Sequence, residues 1–527
     1  MSLLKNFATV GSATLASRVL GFVRDVFMAT MLGTGPVADA FIVAFRLPNL
    51  FRRLFAEGAF SAAFVPLFSR ALTEGGRPRA RSFAEEILAV FLLALAVITA
   101  LAEIAAPLLV MVLAPGFISD PAKFAHTEAL TRIMFPYLAC MSLTAMAAGI
   151  LQSFGKFAVA AFAPTLLNVV LVAALWLIWR SGWAGTDMAA YALGWGVFIA
   201  GFLQLAAVAG TLWWSGFPLS LRRPQVTANV RRLVALGIPG VISGGVTQIN
   251  IVVGTIIASM QASAASWLYY ADRLYQLPLG VIGVAIGVVL LPDLTRRLRS
   301  DEPETAMHAQ NRSFEFAMAL TLPAAVALIA IPFTLVRVLF ERGAFDAADT
   351  HATGMALAAF AVGLPAFVAI KVYQPAYFAR EDTKTPTIQA GISVAVNVVG
   401  SLALFPYFGH VGIAAATAFA AVVNAVMLHV VLMRRGHAVV DRLLVRRILL
   451  LAAASVTMGG ALVLGADVLD PWLNSGSNLV AATALLVLCT FGFAVYASAT
   501  ILTGAVDVRR YARVILDRRR PPPAPAD

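Results

Sequence analysis

The residues of this sequence best suited to do chemistry are charged side chains inside long apolar segments. In chain order they are Arg18, Arg24, Asp25, Asp39, Arg46, Arg52, Arg53, Glu57, Asp272, Arg273 and Lys371. A charge near the centre of a bilayer costs roughly 2.5–3.5 kcal/mol on insertion scales. Because the set is too large to face lipid, we expect these side chains to face one another or a water-filled cavity.

Cations outnumber carboxylates in this set, and most of the cations are arginines. A guanidinium presents a rigid fork of N–H donors that matches the oxygens of a phosphate in pairs. A surplus of arginine at membrane depth therefore predicts a cavity for an anionic cargo. The candidate cargo-binding residues on this ground are Arg18, Arg24, Arg52 and Arg273.

Ion pairing or reaching an interface is the alternative for the other charged residues. Arg53 and Glu57 are spaced as neighbours on one helix face, and Arg18 and Asp25, seven residues apart, also share a face. The residues that we expect to pair or to reach an interface are Asp25, Arg53 and Glu57. Those for which pairing and a place in the cavity both stay open are Asp39, Arg46 and Lys371.

Helix-bending residues accompany the charges. Pro48 and Pro278 fall in predicted helices two and eight, and Gly280 follows in the eighth. Proline removes a helix hydrogen bond and permits a bend, while small residues permit close packing or a hinge. Gating and plain helix packing are both open for these three positions.

Soluble-type catalytic sites are not predicted. The two cysteines, Cys140 and Cys489, lie in apolar runs, and the six histidines are scattered without metal-ligand spacing. No phosphate-binding loop, dinucleotide motif or Gly-x-Ser-x-Gly motif occurs. The sequence therefore predicts no enzyme activity, no metal and no cofactor.

The elements that must position these charges are transmembrane helices. The chain is 60% hydrophobic and only 13% charged, against about a quarter charged in soluble chains. Its apolar runs are continuous rather than alternating, which favours helices over a β-barrel. The predicted helices are 5–32, 36–72, 83–113, 127–153, 160–179, 188–213, 229–259, 265–293, 313–340, 351–379, 387–405, 412–433, 445–466 and 478–503. The predicted fold is an all-α polytopic membrane protein of about fourteen transmembrane helices.

Basic residues fall on alternate loops of this topology. They include Arg77, Arg79, Arg81, Lys156, Arg222, Arg223, Arg231, Arg232, Arg296, Arg297, Arg299, Arg380, Lys384, Arg434, Arg435, Arg442, Arg446 and Arg447. By the positive-inside rule this side is cytoplasmic, which places both termini in the cytoplasm. The net charge of +12 is thus mostly a topology signal rather than a sign of nucleic-acid binding. The basic tail either contacts anionic membrane lipids or serves as a plain anchor.

Short fragments recur in the same order at an offset of about 230 residues. Asn168-Val169-Val170, for example, returns as Asn397-Val398-Val399. Two six-helix lobes of equal orientation, related by a pseudo-two-fold axis along the membrane normal, are typical of one class of transporters. The predicted divisions are an N-terminal lobe at 1–218, a C-terminal lobe at 219–436, two additional helices within 437–505 and a basic, Pro-rich tail at 506–527.

Five sequence blocks resemble the MurJ (MviN) lipid II flippases of the multidrug/oligosaccharidyl-lipid/polysaccharide exporter superfamily. The resemblance runs from the first residues to the last helices. The blocks are Ser17–Asp25, Arg46–Phe60, Phe162–Asn168, Tyr269–Leu274 with Pro278–Val281, and Asp382–Pro386. The resemblance implies a cationic central cavity that takes lipid II, an undecaprenyl-diphosphate carrying the disaccharide-pentapeptide of peptidoglycan. It also implies movement of that lipid from the cytoplasmic to the periplasmic leaflet of a bacterial inner membrane, in support of cell-wall biogenesis and cell shape.

The functional positions of that family fall here on a defined set of residues. They are Arg18, Arg24, Asp39, Arg52, Glu57 and Arg273, together with Asn49 and Asp272. Gln276 stands where some members carry an acid, so no carboxylate role is carried over to it. No acid occurs in 233–260 or 387–405, so the sodium site proposed for some members is not predicted.

Several alternatives stay open at this stage. The cargo is lipid II by resemblance, but another polyprenyl-diphosphate-linked saccharide satisfies the same chemistry. A scaffold of the cell-wall synthesis machinery that transports nothing is the alternative of another class. The driving force, whether membrane potential or an ion gradient, the oligomeric state and the roles of Gln276 and Lys371 are also open.

Overall fold

The structure, a computed structural model, is built from helices and describes residues 2–53, 60–299 and 303–505. These ranges contain nineteen α-helices, a 3₁₀ turn at Pro115–Ser119 and no β-strand. The helices are α1 Ser2–Leu32, α2 Pro36–Phe51, α3 Ser61–Ile104, α4 Ala106–Leu113, α5 Pro121–Met134, α6 Tyr137–Ser153, α7 Ala158–Ser181, α8 Asp187–Trp214, α9 Ala228–Ala258, α10 Ala264–Arg299, α11 Pro303–Ala330, α12 Pro332–Phe340, α13 Ala347–Val362, α14 Leu364–Phe378, α15 Lys384–Phe408, α16 His410–Arg434, α17 Arg442–Val468, α18 Asp470–Leu473 and α19 Asn478–Leu502.

Helix covers most of the described residues in every one of the predicted segments. Ten stretches in the described part of the chain are long and apolar enough to cross a membrane, judged by length and composition. The all-α, multi-pass membrane class is therefore confirmed, while the total of about fourteen crossings stays a prediction. Helices α1, α2 and α10, which carry most of the charges at membrane depth, lie outside these ten.

The described parts of the predicted second helix, 36–72, are helical. They contain α2, Pro36–Phe51, and the first part of α3, which begins at Ser61, while residues 54–59 lie outside the described residues. Helix α3 is itself two helices joined by a kink at Gly75 and Gly76, where Gly76 has a φ of 62°. Only glycine adopts this left-handed conformation at little cost, and Pro78 follows it. The kink falls in the loop predicted between helices two and three.

The chain packs as two compact units. Unit 1 comprises Met1–Arg273, Phe340–Thr353 and Val394–Ala416. Within it α1 packs along α7, α7 along α8, and α3 against α6 and α9. The sequence-contiguous divisions 1–218, 219–436 and 437–505 stay a prediction, and the tail at 506–527 lies outside the described residues.

A buried carboxylate fastens the connector after α8 onto α3 within unit 1. Glu85 is 4% exposed and accepts hydrogen bonds from Arg81 Nε at 3.0 Å and from the backbone N–H of Ser220 at 2.9 Å. Arg222 Nη2 lies 2.7 Å from its other oxygen. Since these donors converge on one side chain, Glu85 sets the path of the chain into α9.

Glu85→Ala is expected to lower the free energy of unfolding by roughly 1–3 kcal/mol, because its partners lose their acceptor. Thermal unfolding of the full-length protein in detergent measures this loss. Glu74→Ala is the matched control, since Glu74 pairs with Arg70 and Arg79 at an exposed site and such pairs contribute little. An equal decrease for both variants would contradict the role given to Glu85.

Unit 2 comprises Leu274–Leu339, Gly354–Ser393 and Thr417–Asp527. In its described residues α11 packs against α14 and α17, and α17 packs against α19. Glu315 of α11 receives Arg447 of α17 at 2.6 Å. This ion pair joins α17, the first of the two additional helices, to α11.

The loop between α14 and α15 is held by Asp382. Its carboxylate accepts from the backbone N–H of Thr385 at 2.9 Å and lies 2.6 Å from Arg435 Nη1. Hydrogen bonds from Thr385, with the charge of Arg435, lower the pKa of Asp382 to about 2. A depressed carboxylate pKa adds stability that is present at neutral pH and lost as the pH falls towards that value.

Candidate anion-binding site

The carboxylate of Asp25 on α1 lies at the centre of a buried charged cluster in unit 1. Asp25 is only 2% exposed. Its Oδ1 accepts hydrogen bonds from Arg24 Nε at 3.0 Å, from Arg24 Nη2 at 2.6 Å and from the Tyr269 hydroxyl at 3.0 Å. The expectation that Asp25 is ion-paired is confirmed, with its chain neighbour as the first partner.

A second guanidinium reaches the same carboxylate from α10. Arg273 Nε lies 3.3 Å from Asp25 Oδ2, and its guanidinium carbon lies 4.6 Å from the centre of the Tyr269 ring. The Arg273 side chain is 35% exposed, against 10% for Arg24. Two cations therefore share one carboxylate, which leaves the cluster with one net positive charge and one accessible arginine.

Three helices position this cluster. Helix α1 supplies Arg24 and Asp25, α10 supplies Tyr269 and Arg273, and Asn168 of α7 accepts a hydrogen bond from Arg24 Nη1 at 2.9 Å. The sequence predicted Arg24 and Arg273 among four cargo-binding arginines, and the structure brings these two together. Sequence analysis did not assign Tyr269 or Asn168 to the site, although both lie in the blocks that carry the family resemblance.

Asp39 of α2 forms a separate buried ion pair. It is fully buried, and its Oδ2 lies 2.6 Å from Lys123 Nζ. The carboxylate also accepts from the backbone N–H groups of Ser263 and Ser266, at 3.1 and 2.9 Å. Asp39 thereby caps the N-terminus of α10, where backbone donors and the helix dipole favour an anion. Its predicted part in substrate binding stays a prediction.

The remaining polar groups of α2 also have local partners. Arg46 donates to the hydroxyl of Thr255 on α9. Arg52 Nε donates to Asn49 Oδ1 at 3.3 Å, directly after Pro48 inside the helix. Both Asn49 and Arg52 are half-buried, and their predicted part in binding stays a prediction. Glu57 lies outside the described residues.

The other predicted positions lie at differing depths. Arg18 is exposed on α1, and Asp272 is half-buried on α10. In unit 2, Pro278 and Gly280 are half-buried on α10, and Lys371 is exposed on α14. Their predicted roles in binding, gating or packing stay predictions.

The cluster around Asp25 is suited to binding an anion rather than to breaking bonds. Arg24 and the Tyr269 phenol donate hydrogen bonds to the Asp25 carboxylate, and the Arg273 guanidinium lies at ion-pair distance from its other oxygen. A diphosphate presents similar oxygens with more charge, so it can take the place of that carboxylate. Within the described ranges, no three His, Cys, Asp or Glu side chains converge as metal ligands would.

The fold that positions this buried cationic cluster is the one seen in transporters of the MOP superfamily. The fold is similar to that of a lipid II flippase MurJ in an inward closed conformation, with a TM-score of 0.77, 24% identity and coverage of 94% of this chain and 98% of that chain. It is also similar to a multidrug resistance MATE family transporter of the MOP superfamily in an inward-facing conformation, with a TM-score of 0.66, 15% identity and coverage of 80% and 94%.

Sequence comparison narrows the class to one family. Residues 28–482 match the family described as lipid II flippase MurJ. A probable lipid II flippase MurJ of Rhizobium tropici is 51% identical over 99% of this chain and 98% of its own length. A lipid II flippase MurJ of Burkholderia cenocepacia is 34% identical over 83% and 85%. The chain belongs to the MurJ family of lipid II flippases, a family of transporters rather than enzymes.

Proposed function

We propose that this chain moves lipid II from the inner to the outer leaflet of the bacterial cytoplasmic membrane by alternating access. The observation that carries this proposal is the shared carboxylate, Asp25, which holds Arg24 and Arg273 of two different helices in one small volume. Membership of the lipid II flippase family supplies the cargo. The same chemistry accepts any polyprenyl diphosphate, so the saccharide is distinguished by experiment.

The proposed binding step is an exchange of anions. In the absence of cargo, Asp25 neutralises part of the charge on the two arginines. The diphosphate of lipid II then replaces it, because more negative charge and more acceptor oxygens face the same donors. Arg273, being the more exposed of the two, receives the diphosphate first, and Arg24 follows.

The remaining elements of the proposal concern orientation and energy. Both termini are placed in the cytoplasm by the basic loops, so the cargo enters from that side. The prenyl tail stays in lipid while the headgroup crosses in water. One charge moving through 100 mV is worth about 2.3 kcal/mol, so a membrane potential or an ion gradient is sufficient to bias the cycle.

The test is lipid II translocation in cells depleted of their own flippase and supplied with this chain. The amount of lipid II that a periplasmic hydrolase can reach is measured in those cells and in cells with an empty vector. The expected result is restoration of accessible lipid II and of growth. Purified protein in vesicles, offered lipid II or an undecaprenyl-diphosphate with a different saccharide, then measures the choice of cargo.

Each outcome assigns the protein to one of the alternatives. Translocation of lipid II in both settings supports the proposal. Translocation of only the other saccharide lipid replaces the cargo but keeps the transporter. No translocation of either lipid by correctly inserted protein, combined with restored growth, would identify a scaffold of the cell-wall synthesis machinery and overturn the proposal.

A further inference from the structure

The amide side chain of Asn168 is bound to α1 at both ends. Its Oδ1 accepts from Arg24 Nη1 at 2.9 Å, and its Nδ2 donates to the backbone C=O of Ser17 at 2.9 Å. Asn168 is 6% exposed and stands in an otherwise apolar stretch of α7. A polar side chain that is buried in an apolar helix segment costs free energy unless its hydrogen-bonding groups have partners. The amide therefore bridges Ser17 and Arg24, which lie two turns apart on α1.

Gly21 provides the room for this bridge. It lies between Ser17 and Arg24, and a Cβ added to it would stand 3.5 Å from Asn168 Nδ2. That distance is an ordinary contact, so alanine fits at position 21. A longer polar side chain there would meet the amide before the amide reached Arg24.

The second half of the chain uses the corresponding asparagine differently. Asn397 of α15 donates from its Nδ2 to Asn250 Oδ1 of α9, across 147 positions of sequence. The same number of positions separates Asn168 from Gly21. Asn397 corresponds to Asn168 in the internal repeat, and Asn250 precedes Asn397 by the same number of residues as Gly21 precedes Asn168. Each half therefore joins two of its helices through this asparagine: α7 to α1 in the first half, and α15 to α9 in the second.

The difference between the halves lies in what the asparagine holds. Val246 and Val253 stand at the same spacing from Asn250 as Ser17 and Arg24 do from Gly21, and neither is a cation. The Asn397 amide donates to Asn250. In the first half Gly21 has no side chain to bond the amide, and Asn168 instead joins α7 to α1 through the Ser17 carbonyl and the Arg24 guanidinium.

We infer that Asn168 is a positioning residue that fixes the guanidinium of Arg24 for the anionic part of the cargo. This inference rests on the proposed function. A free arginine side chain samples many rotamers, and ordering it at the moment of binding reduces affinity. With one nitrogen held by Asn168 and two by Asp25, the Arg24 fork is already oriented before a diphosphate replaces Asp25.

The test compares Asn168→Leu with Asn397→Leu in the full-length protein in detergent. Inorganic pyrophosphate is the probe, and calorimetry gives its dissociation constant while thermal unfolding reports stability. Both variants lose a buried interhelical amide bond, so both are expected to melt earlier. Asn168→Leu is also expected to weaken pyrophosphate binding by about tenfold, while Asn397→Leu leaves it unchanged.

A second pair of variants reaches the same arginine from α1. Gly21→Asn places an asparagine before Asn168 at the spacing that Asn250 has before Asn397. It is expected to capture the Asn168 amide and to weaken pyrophosphate binding to a similar extent. Gly21→Ala, which fits beside the amide, is expected to bind as the wild type does. If Asn168→Leu does not fold, the comparison of Gly21→Asn with Gly21→Ala tests the positioning role of Asn168.

The outcomes separate this inference from the function on which it rests. Equal affinities for Asn168→Leu and Asn397→Leu, or for Gly21→Asn and Gly21→Ala, would show that Asn168 only packs helices. If Arg24→Ala itself bound pyrophosphate and transported lipid II normally, the proposed binding site would be wrong, and the positioning role of Asn168 with it. A loss in Arg24→Ala with no loss in Asn168→Leu overturns the positioning role alone.

Discussion

A variant that carries both Arg24→Gln and Arg273→Gln is expected to lose lipid II transport by a factor of more than about 100. Each charge-assisted hydrogen bond to a buried anion is worth about 1.5–3 kcal/mol, and every 1.4 kcal/mol is a factor of ten. Both guanidinium groups face the same acceptor, so their losses affect one bound species. Transport in vesicles and pyrophosphate binding by calorimetry measure the effect.

The control for this variant removes the charge of Asp25, the carboxylate that the two substitutions leave without its arginine partners. Adding Asp25→Asn removes the buried charge that would otherwise lack a partner. The resulting triple variant is expected to fold and to remain inactive. If it transported lipid II at half the wild-type rate or more, the cluster would not be the cargo site.

Asp25→Asn alone separates binding from turnover. With both arginines in place and the competing carboxylate gone, pyrophosphate is expected to bind about tenfold more tightly. Transport is expected to slow, because Asp25 is no longer present to displace the departing diphosphate. Weaker binding by Asp25→Asn would show that the carboxylate only holds the arginines in place.

The positions of the charged residues could be predicted from sequence because their cost in a bilayer is so high. Arg24 and Arg273 were predicted as cargo-binding residues from the surplus of arginine in the apolar segments. The structure places both beside one carboxylate. The helices themselves followed from continuous apolar runs.

The partners of the charges could not be predicted in the same way. Lys123 was assigned to a loop, whereas its ammonium group lies 2.6 Å from Asp39 and 3.9 Å from the centre of the Phe117 ring. The pair is separated by 84 positions of sequence. Spacing on one helix reveals pairs within that helix only. A contact between α2 and α5 depends on how the helices pack.

Asp39→Ala is expected to lower the free energy of unfolding by about 3–5 kcal/mol, among the largest effects of any single change in unit 1. The substitution leaves Lys123 buried without its partner, at 6% exposure, and an uncompensated buried charge costs this much. It also removes the acceptor for the N–H groups of Ser263 and Ser266 at the start of α10. Thermal unfolding in detergent at constant salt measures the loss.

The double variant Asp39→Asn, Lys123→Met decides between a structural and a cargo-binding role for Asp39. It removes both charges together, and the asparagine oxygen still accepts from Ser266, so much of the stability lost in Asp39→Ala is expected to return. If transport returns with it, the buried pair serves to hold α2 and α5 to the start of α10. If the stabilised double variant binds pyrophosphate as the wild type does and still fails to transport, the charge on Asp39 acts in the transport cycle itself. Since both oxygens of Asp39 are already engaged by Lys123 and α10, we expect the first result.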